Sequence, residues 1–197
     1  DDYLKEDKEE GRYHEDIFIS TRSSDSTWNQ PLGISSLNNN SNDAAVALSP
    51  DGQTLFTFIS DVKNPGDLCI SSLNGTEWSK PEKLNTNINS EFWEGSCSIT
   101  ADGRYLYFAS ERPGGLGGRD LYVSEKVNGE WSAAVNLGPS INTQYNEDAP
   151  FIHPDGITLF FSSEGHKSIG GYDIMYSIKK DNNWIEPLSM GIPLNTT

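Results

Sequence analysis

The chain has 197 residues, enough for one domain or two small ones with a buried core. It carries 29 Asp and Glu against 14 Lys and Arg, and the resulting net charge of −15 argues against binding to nucleic acids or to anionic lipids. Its 18 Gly, 10 Pro and 11% aromatic residues are typical of a turn-rich all-β protein rather than of a disordered chain.

Several functional classes are not expected from the motifs. No apolar run approaches the roughly 18 residues of a membrane span. The opening residues, DDYLKEDKEEGRYHED, have no apolar stretch, so no signal peptide is expected in this segment. Cys69 and Cys97 lie in alternating apolar segments, which favours small buried residues over a disulfide or a reactive thiol. The three histidines have no metal-ligand spacing, and no nucleophile elbow or phosphate loop is present. The chain is therefore expected to have no metal, no cofactor, no catalytic residue and no enzymatic activity.

The most informative feature is an internal repeat with a period of 50 to 53 residues. Four markers keep this period: a Trp, an Asp before Ile or Leu, an Asp-Gly pair and an apolar residue before Asn. They are Trp28, Trp78, Trp131 and Trp184; Asp16, Asp67, Asp120 and Asp173; Asp51, Asp102 and Asp155; and Asn38, Asn89, Asn142 and Asn195. The repeat predicts one structural unit built several times.

The chain divides into four segments at residues 1–38, 39–89, 90–142 and 143–197, and the last also begins the next connection. Each full unit reads as four short strands, because Asp-Gly between apolar runs is a strong hairpin signal and Val, Ile, Phe and Tyr alternate with Ser and Thr. A four-stranded repeat of this length is typical of a β-propeller blade. The prediction is an all-β propeller segment: the back half of a truncated blade with a charged N-terminal loop, then three full blades, as part of a larger propeller.

Two markers have predicted structural roles. Each recurring Trp follows a polar turn and is expected to pack between neighbouring blades rather than to stack on a ligand. Each recurring Asp is expected to accept backbone N–H bonds from a Gly-rich turn rather than to bind a metal.

The strings SPDGQTLFTF, TADGRYLYFAS and HPDGITLFFSS resemble the WD40-like repeat of TolB-type propellers. The segments WSKPEKLNTNIN, GGRDLYVSEKVNGEWSAAVNLGPSIN and NEDAPFIHPDG are similar to propellers of Bacteroidetes outer-membrane-associated proteins of the OmpA family, one of which belongs to the type IX secretion machinery. The resemblance covers about residues 15–195. It implies a periplasmic, outer-membrane-associated scaffold, in which peptidoglycan is bound only through neighbouring domains.

Function is expected on the propeller face that carries the long loops, because binding residues concentrate on loops held by a rigid scaffold. Asp43, Glu94 and Glu147 each lie eight residues before an Asp-Gly turn, which predicts a ring of carboxylates at the channel mouth. Such a ring could receive a basic group of a partner or a cation. Alternatively, each carboxylate caps the amides of its own loop.

Four more residues are candidates for partner binding. Trp93 lies outside the Trp register, so it is either a hot-spot residue on the binding face or a loop-packing residue. Tyr145 lies in the equivalent loop of the next repeat. Arg112 and Arg119 flank the PGGLGG loop, and a paired surface role is favoured over anion capture for both.

The function predicted first is therefore a non-enzymatic scaffold that binds a protein partner of the cell envelope, with the carboxylates steering a basic partner and Trp93 as the apolar anchor. The alternative is a module that binds cell-wall glycans, in which Phe92, Trp93 and Tyr145 stack on sugar rings. A propeller glycoside hydrolase is the third hypothesis; the SSDSTW string resembles a sialidase Asp-box only weakly.

Overall fold

The computed structural model describes residues 6–7 and 12–197, with side chains from residue 14 onward. Part of the charged N-terminal loop predicted above lies outside these described residues. In the part of the chain that is described, every regular element is a β-strand and none is a helix. The same residues accordingly contain no helix long and apolar enough to cross a membrane.

The N-terminal strands form short antiparallel pairs. They are β1 (Glu6–Asp7) with β2 (Arg12–Tyr13), β3 (Phe18–Ile19) with β6 (Leu32–Gly33), and β4 (Arg22–Ser24) with β5 (Thr27–Trp28). Strands β3 to β6 correspond to the third and fourth strands of a blade, and we call them the half-blade.

Three five-stranded antiparallel sheets follow, and each is one blade. Blade one contains β7 (Asn42–Leu48), β8 (Thr54–Asp61), β9 (Asn64–Asn74), β10 (Glu77–Trp78) and β11 (Glu82–Lys83). Blade two contains β12 (Cys97–Ile99), β13 (Tyr105–Ser110), β14 (Asp120–Val127), β15 (Glu130–Trp131) and β16 (Val135–Asn136). Blade three contains β17 (Glu147–Ile152), β18 (Thr158–Ser163), β19 (Asp173–Lys180), β20 (Asn183–Trp184) and β21 (Leu188–Ser189).

The fourth strand of each blade is divided into two short pieces, and both pair with the third strand of the same sheet. In blade one Pro81 lies between the two pieces, and in blade three Pro187 does. Proline lacks a backbone N–H, so it interrupts the ladder at an edge strand. The repeating unit is therefore the predicted four-stranded blade with a broken outer strand.

Two apolar clusters join the blades. The first combines Phe56, Leu68 and Ile88 of blade one with residues of blade two that include Phe108 and Trp131. The second combines residues of blade two with residues of blade three: Tyr107, Ala109, Leu121 and Ile141 meet Ile152, Leu159, Phe161 and Met175. Both faces of blade two are thus covered by neighbouring blades, which confirms the predicted fold class: an all-β partial propeller.

Two of the recurring Trp residues, Trp131 and Trp184, pack on the preceding blade, as predicted. Trp131 is buried against blade one, and its carbonyl accepts hydrogen bonds from Asn85 at 3.0 Å and Asn87 at 2.7 Å. Trp184 meets Tyr107 of blade two edge-on, with ring centroids 6.1 Å apart. Trp28 of the half-blade is 63% exposed. Burial at this repeat position therefore depends on the presence of a preceding blade.

The recurring Asn joins the end of each unit to its third strand. Its side chain makes two hydrogen bonds to the residue that follows the recurring Asp. It accepts one from the backbone N–H of that residue and donates one to the carbonyl of the same residue. The pairs are Asn38 with Ile17, Asn89 with Leu68, Asn142 with Leu121 and Asn195 with Ile174. The marker recurs because it satisfies both backbone groups of a strand end.

The recurring Asp caps the preceding loop in blades two and three. Asp120 accepts the backbone N–H of Leu116 at 2.5 Å and of Gly117 at 3.0 Å. Asp173 accepts the backbone N–H of Ile169 at 2.5 Å. The capping prediction is confirmed at these two positions, and it explains how the Gly-rich loops hold a fixed shape.

Candidate functional site

The long loops lie at one end of the blades, which we call the loop face. In blades two and three this face is built by residues 90–95 and 143–148, which lead into the first strands, and by residues 111–119 and 164–172, which join the second strand to the third. The opposite face carries the tight Asp-Gly and Asn-Gly turns. Every candidate residue predicted from the sequence lies on the loop face or at its border.

Glu94 and Glu147 are fully buried and bonded to their own loops. Glu94 accepts the backbone N–H of Ser90 at 2.8 Å, and the hydroxyls of Ser90 and Ser110 at 2.7 and 2.6 Å. Glu147 is bound in the same way by the N–H and hydroxyl of Thr143, both at 2.8 Å, and by the hydroxyl of Ser163 at 2.7 Å. Each carboxylate therefore fixes the loop that precedes its strand.

Asp43 occupies the same position in blade one and is 2% exposed. It accepts the backbone N–H of Asn39 at 2.8 Å and the Asn39 side-chain amide at 2.7 Å. Burial raises the pKa of Asp43 to about 6, and the neighbouring Asp16 carboxylate adds to the rise.

The geometry of these three carboxylates matches the local-capping alternative. Because all three are buried and bonded within their loops, a partner could reach them only after the loops had moved. A role in partner binding stays a prediction for Asp43, Glu94 and Glu147.

Trp93 is half-buried and stacked against Arg119, whose guanidinium carbon lies 3.6 Å from the ring centroid. Its other neighbour is Phe58 of blade one, with a centroid distance of 6.0 Å. Arg119 also donates to Glu111 at 2.7 Å and to Asp148 of blade three. The pair thus bridges three blades, which leaves little of the indole free for a partner.

Arg112 is bonded inward in a similar way. Its guanidinium donates to the Ile88 carbonyl and to the Ser110 hydroxyl, and it lies 3.4 Å from Glu94. It also stands over the Phe108 ring at 5.1 Å from the centroid. Both arginines are engaged in contacts between loops, in line with the paired role favoured from the sequence. A role in partner binding stays a prediction for Arg112 and Arg119.

Tyr145 differs from the other candidates because its side chain projects from the loop face. Phe92 is its equivalent one repeat earlier, and Leu116 and Ile169 form a second pair 53 residues apart. These four side chains are between 41% and 52% exposed. Leu116 and Ile169 were not singled out from the sequence, although the repeat period would have aligned them.

A groove of about 500 Å³ runs along the first strands of the three blades. Its walls are mostly apolar and include Val46, Leu48, Ile99, Phe151 and Ile152. The three first strands therefore converge on one side, as they do around a propeller axis. The described residues that line the groove do not include the three buried carboxylates.

The cysteines and the metal-ligand residues show no reactive arrangement in the described part. Cys69 and Cys97 are free and buried, as favoured above, and burial raises the pKa of the Cys69 thiol to about 12. Among the described residues, no group of three or more His, Cys, Asp or Glu side chains is placed to hold a metal ion.

Blades that share apolar clusters and turn their first strands toward one groove define a partial β-propeller. TolB from Acinetobacter baumannii has a similar structure, with a TM-score of 0.53 and 15% identity over 80% of this chain and 34% of that chain. For the protein assigned as TolB in Agrobacterium tumefaciens, the TM-score is 0.57 and the identity is 15%, over 88% of this chain and 60% of that chain. For the α-L-arabinanase of Penicillium chrysogenum, solved with arabinobiose, the TM-score is 0.58 and the identity is 13%, over 93% of this chain and 61% of that chain.

These likenesses show the fold, which is a β-propeller of the kind also found in TolB, and nothing narrower. The chain spans between 34% and 61% of the length of these three structures. No protein-family model matches the chain, and no curated protein matches it.

The expectation of no enzymatic activity is wrong as a deduction from fold and motifs. Structures similar to this chain include prolyl endopeptidases, a puromycin hydrolase, a puromycin-hydrolyzing peptidase of Mycobacterium tuberculosis and the arabinanase. Blades of this kind thus occur in hydrolases as well as in TolB, and a fold hosts many functions.

Proposed function

We propose that the chain is a protein-interaction scaffold of the bacterial cell envelope that presents its loop face to a protein partner. One observation carries the proposal: buried carboxylates fix the long loops, while apolar side chains project from them. Glu94 and Glu147 order their own loops, and Asp120 and Asp173 order the Gly-rich loops. Pre-ordered loops bind at a lower entropic cost than mobile ones.

The cellular setting in this proposal is the periplasm, in association with the outer membrane. It is supported by the resemblance of the repeats to TolB-type propellers and to those of Bacteroidetes outer-membrane-associated proteins, and by the likeness to two TolB structures. Type IX secretion or envelope organisation is the process in which we place the scaffold. The net charge of −15 supports a partner with a basic surface.

The proposal is tested by site-specific photo-cross-linking in the native cells. A photoreactive amino acid replaces Gln144 on the loop face or, as a matched control, Gln53 beside the tight Asp51-Gly52 turn of the opposite face; both positions are exposed. We expect a protein adduct from position 144 and none from position 53. Equal adducts from both positions, or none from position 144, would contradict the scaffold function.

A second candidate is a glycan-binding module. It is favoured by the exposed aromatic side chains of Phe92 and Tyr145 and by the likeness to an arabinanase that binds arabinobiose. Trp93 suits this function less well, because Arg119 covers its ring. Binding to a glycan array that is lost in Tyr145→Ala would support this candidate, and release of sugars from the bound glycan would extend it to a hydrolase.

A further inference from the structure

We propose that Phe92, Leu116, Tyr145 and Ile169 form one docking surface for a basic protein segment that carries apolar side chains. We call these four residues the apolar row. The inference rests on the proposed scaffold function and assigns it a surface and a class of partner. It also moves the anchor from Trp93, which packs inside the loop face, to side chains that project from it.

The two aromatic residues of the row have the same local structure. The backbone N–H of Phe92 donates to the Ser90 hydroxyl at 3.1 Å, and that of Tyr145 donates to the Thr143 hydroxyl at 3.1 Å. Ser90 and Thr143 are themselves bonded to the buried carboxylates of Glu94 and Glu147. Each aromatic residue therefore stands on a turn that a buried charge holds in place.

The two aliphatic residues are fixed by an equivalent arrangement. The backbone N–H of Leu116 donates to Asp120, and that of Ile169 donates to Asp173, each at 2.5 Å. Both aspartates are 1% exposed. Hydrogen bonds thus fix the backbone amides of all four residues, and their large apolar side chains are exposed to solvent. Folding of the chain does not require this exposure, and exposed apolar patches mark interaction sites.

The row is continuous across the junction between blades two and three. Gly117, which follows Leu116, lies so close to the Tyr145 carbonyl that a Cβ atom at this position would collide with it. Arg119 and Asn146 form a β-bridge beside the same contact. The aliphatic residue of one blade therefore neighbours the aromatic residue of the next.

The charge around the row selects a basic partner. Its four loop segments, residues 90–95, 111–119, 143–148 and 164–172, contain six Asp and Glu but three Lys and Arg. Arg112 pairs with Glu94, and Arg119 pairs with Glu111 and Asp148, while Glu147 is buried. The remaining charges are Glu91 and Glu164 against Lys167, on a chain whose net charge is −15. A segment with Lys or Arg beside apolar residues complements this surface.

The composition of the row favours a protein over a glycan. Sugar rings stack on flat aromatic faces, and Phe92 and Tyr145 could provide two. Leu116 and Ile169 have no such face, but they bury well against apolar side chains of a peptide. Half of the row would therefore contribute little to glycan binding.

The test uses a displayed library of random linear peptides, selected on the full chain. We expect enriched peptides to combine Lys or Arg with aromatic or aliphatic residues. Their affinity is expected to fall by about 10-fold or more in Phe92→Thr/Tyr145→Thr, as it does when central interface residues are truncated. The matched control is Val135→Thr/Leu188→Thr, because these residues are also 53 positions apart and are 62% and 53% exposed, but lie on the outer strands. The control is expected to bind within about twofold of the wild-type chain.

Other outcomes would overturn the inference. Equal affinity of both double variants, or enrichment of acidic peptides, would exclude the row as the proposed surface. The absence of any enriched peptide would do the same, while the cross-linking result at position 144 would still decide the scaffold function separately. Glycan-array binding lost in Phe92→Thr/Tyr145→Thr but not in the control would replace the protein segment with a glycan.

Discussion

Blades two and three carry equivalent apolar positions in the same register, yet one face of blade three is left open. Leu121 and Ile141 of blade two are fully buried, because Leu159, Phe161 and Met175 of blade three lie against them. Their equivalents in blade three, Ile174 and Leu194, are 38% and 60% exposed. A blade of this protein therefore cannot cover its own apolar face, and the neighbouring blade completes it.

Local hydrogen bonds do not depend on this cover. The Asn142 side chain accepts the Leu121 N–H at 2.8 Å, and the Asn195 side chain accepts the Ile174 N–H at 2.8 Å. The comparison separates two contributions: hydrogen bonds that each unit makes alone, and apolar burial that needs two units. The loop face depends on both, since its loops are bonded within blades and meet between blades.

The largest expected effect is at the covered face. Ile141→Ala should lower the free energy of unfolding by about 3 kcal/mol, because it leaves a cavity between two packed sheets. Leu194→Ala, at the equivalent open position, should cost less than about 1 kcal/mol. Urea denaturation of both variants measures the difference. Equal losses would show that cover by the neighbouring blade does not matter.

A second comparison concerns the carboxylate position of blade one. The pKa of Asp43 is about 6, so the folded chain keeps this proton to a higher pH than the unfolded chain, where the pKa is near 4. Stability from this group is present at low pH and is lost as the pH rises from about 4 to 7, by up to roughly 3 kcal/mol. Asp43→Asn should remove this loss. The stability of the variant should therefore rise relative to that of the wild-type chain as the pH increases over that interval.

The control for this effect is Asp51→Asn. The hydroxyl of Ser49 and the backbone N–H of Gln53 lower the pKa of Asp51, so its contribution has the opposite sign. Denaturation curves at several pH values compare the two variants. If the stability difference between Asp43→Asn and the wild-type chain did not change with pH, the raised pKa would be excluded.

The smallest expected effect on stability comes from adding to blade three a side-chain hydrogen bond that blade two already makes. Asn136 accepts hydrogen bonds from Gly138 and Asn142, and its amide also donates to Asp120 at 2.9 Å. Ser189 replaces it in blade three. It accepts the same two bonds, from Gly191 and Asn195, but it has no amide to donate to Asp173, whose carboxylate accepts the Ile169 N–H as Asp120 accepts the Leu116 N–H.

Ser189→Asn should therefore stabilise the chain by about 1 kcal/mol, because its amide would donate to Asp173 as the Asn136 amide donates to Asp120. Ser189→Thr is the control, since it restores no amide. A thermal or urea melt measures the gain. A loss of stability in Ser189→Asn would show that blade three does not share the geometry of blade two.

The fold could be predicted from the sequence because its determinants are local and repeated. The Asp-Gly turns, the recurring Asp and the recurring Asn each form bonds within one unit, so a fixed spacing in the chain becomes a fixed position in space. Which blade faces are covered by a neighbouring blade was harder to predict from the sequence. Trp28 and Trp131 occupy the same repeat position, but only Trp131 is buried, because burial depends on which blades stand beside it.

The candidate site was predicted less well than the fold. Spacing placed Glu94 and Glu147 at the starts of strands, but it could not show that their own loops would take up their oxygens. Stacking of Arg119 on Trp93 joins residues 26 positions apart through tertiary packing, for which the sequence holds no signal. Leu116 and Ile169 could have been found, because exposure at a repeated apolar position is visible once the loops are aligned.

Amide hydrogen exchange at Leu121 and Ile174 tests most directly whether adjacent blades complete each other. The two N–H groups have the same acceptor type at the same distance, and they differ in the cover provided by the next blade. We expect the Leu121 amide to exchange about 100-fold more slowly, because exposing it requires two blades to separate. Equal exchange rates would contradict the account, since each blade would then be stable without its neighbour.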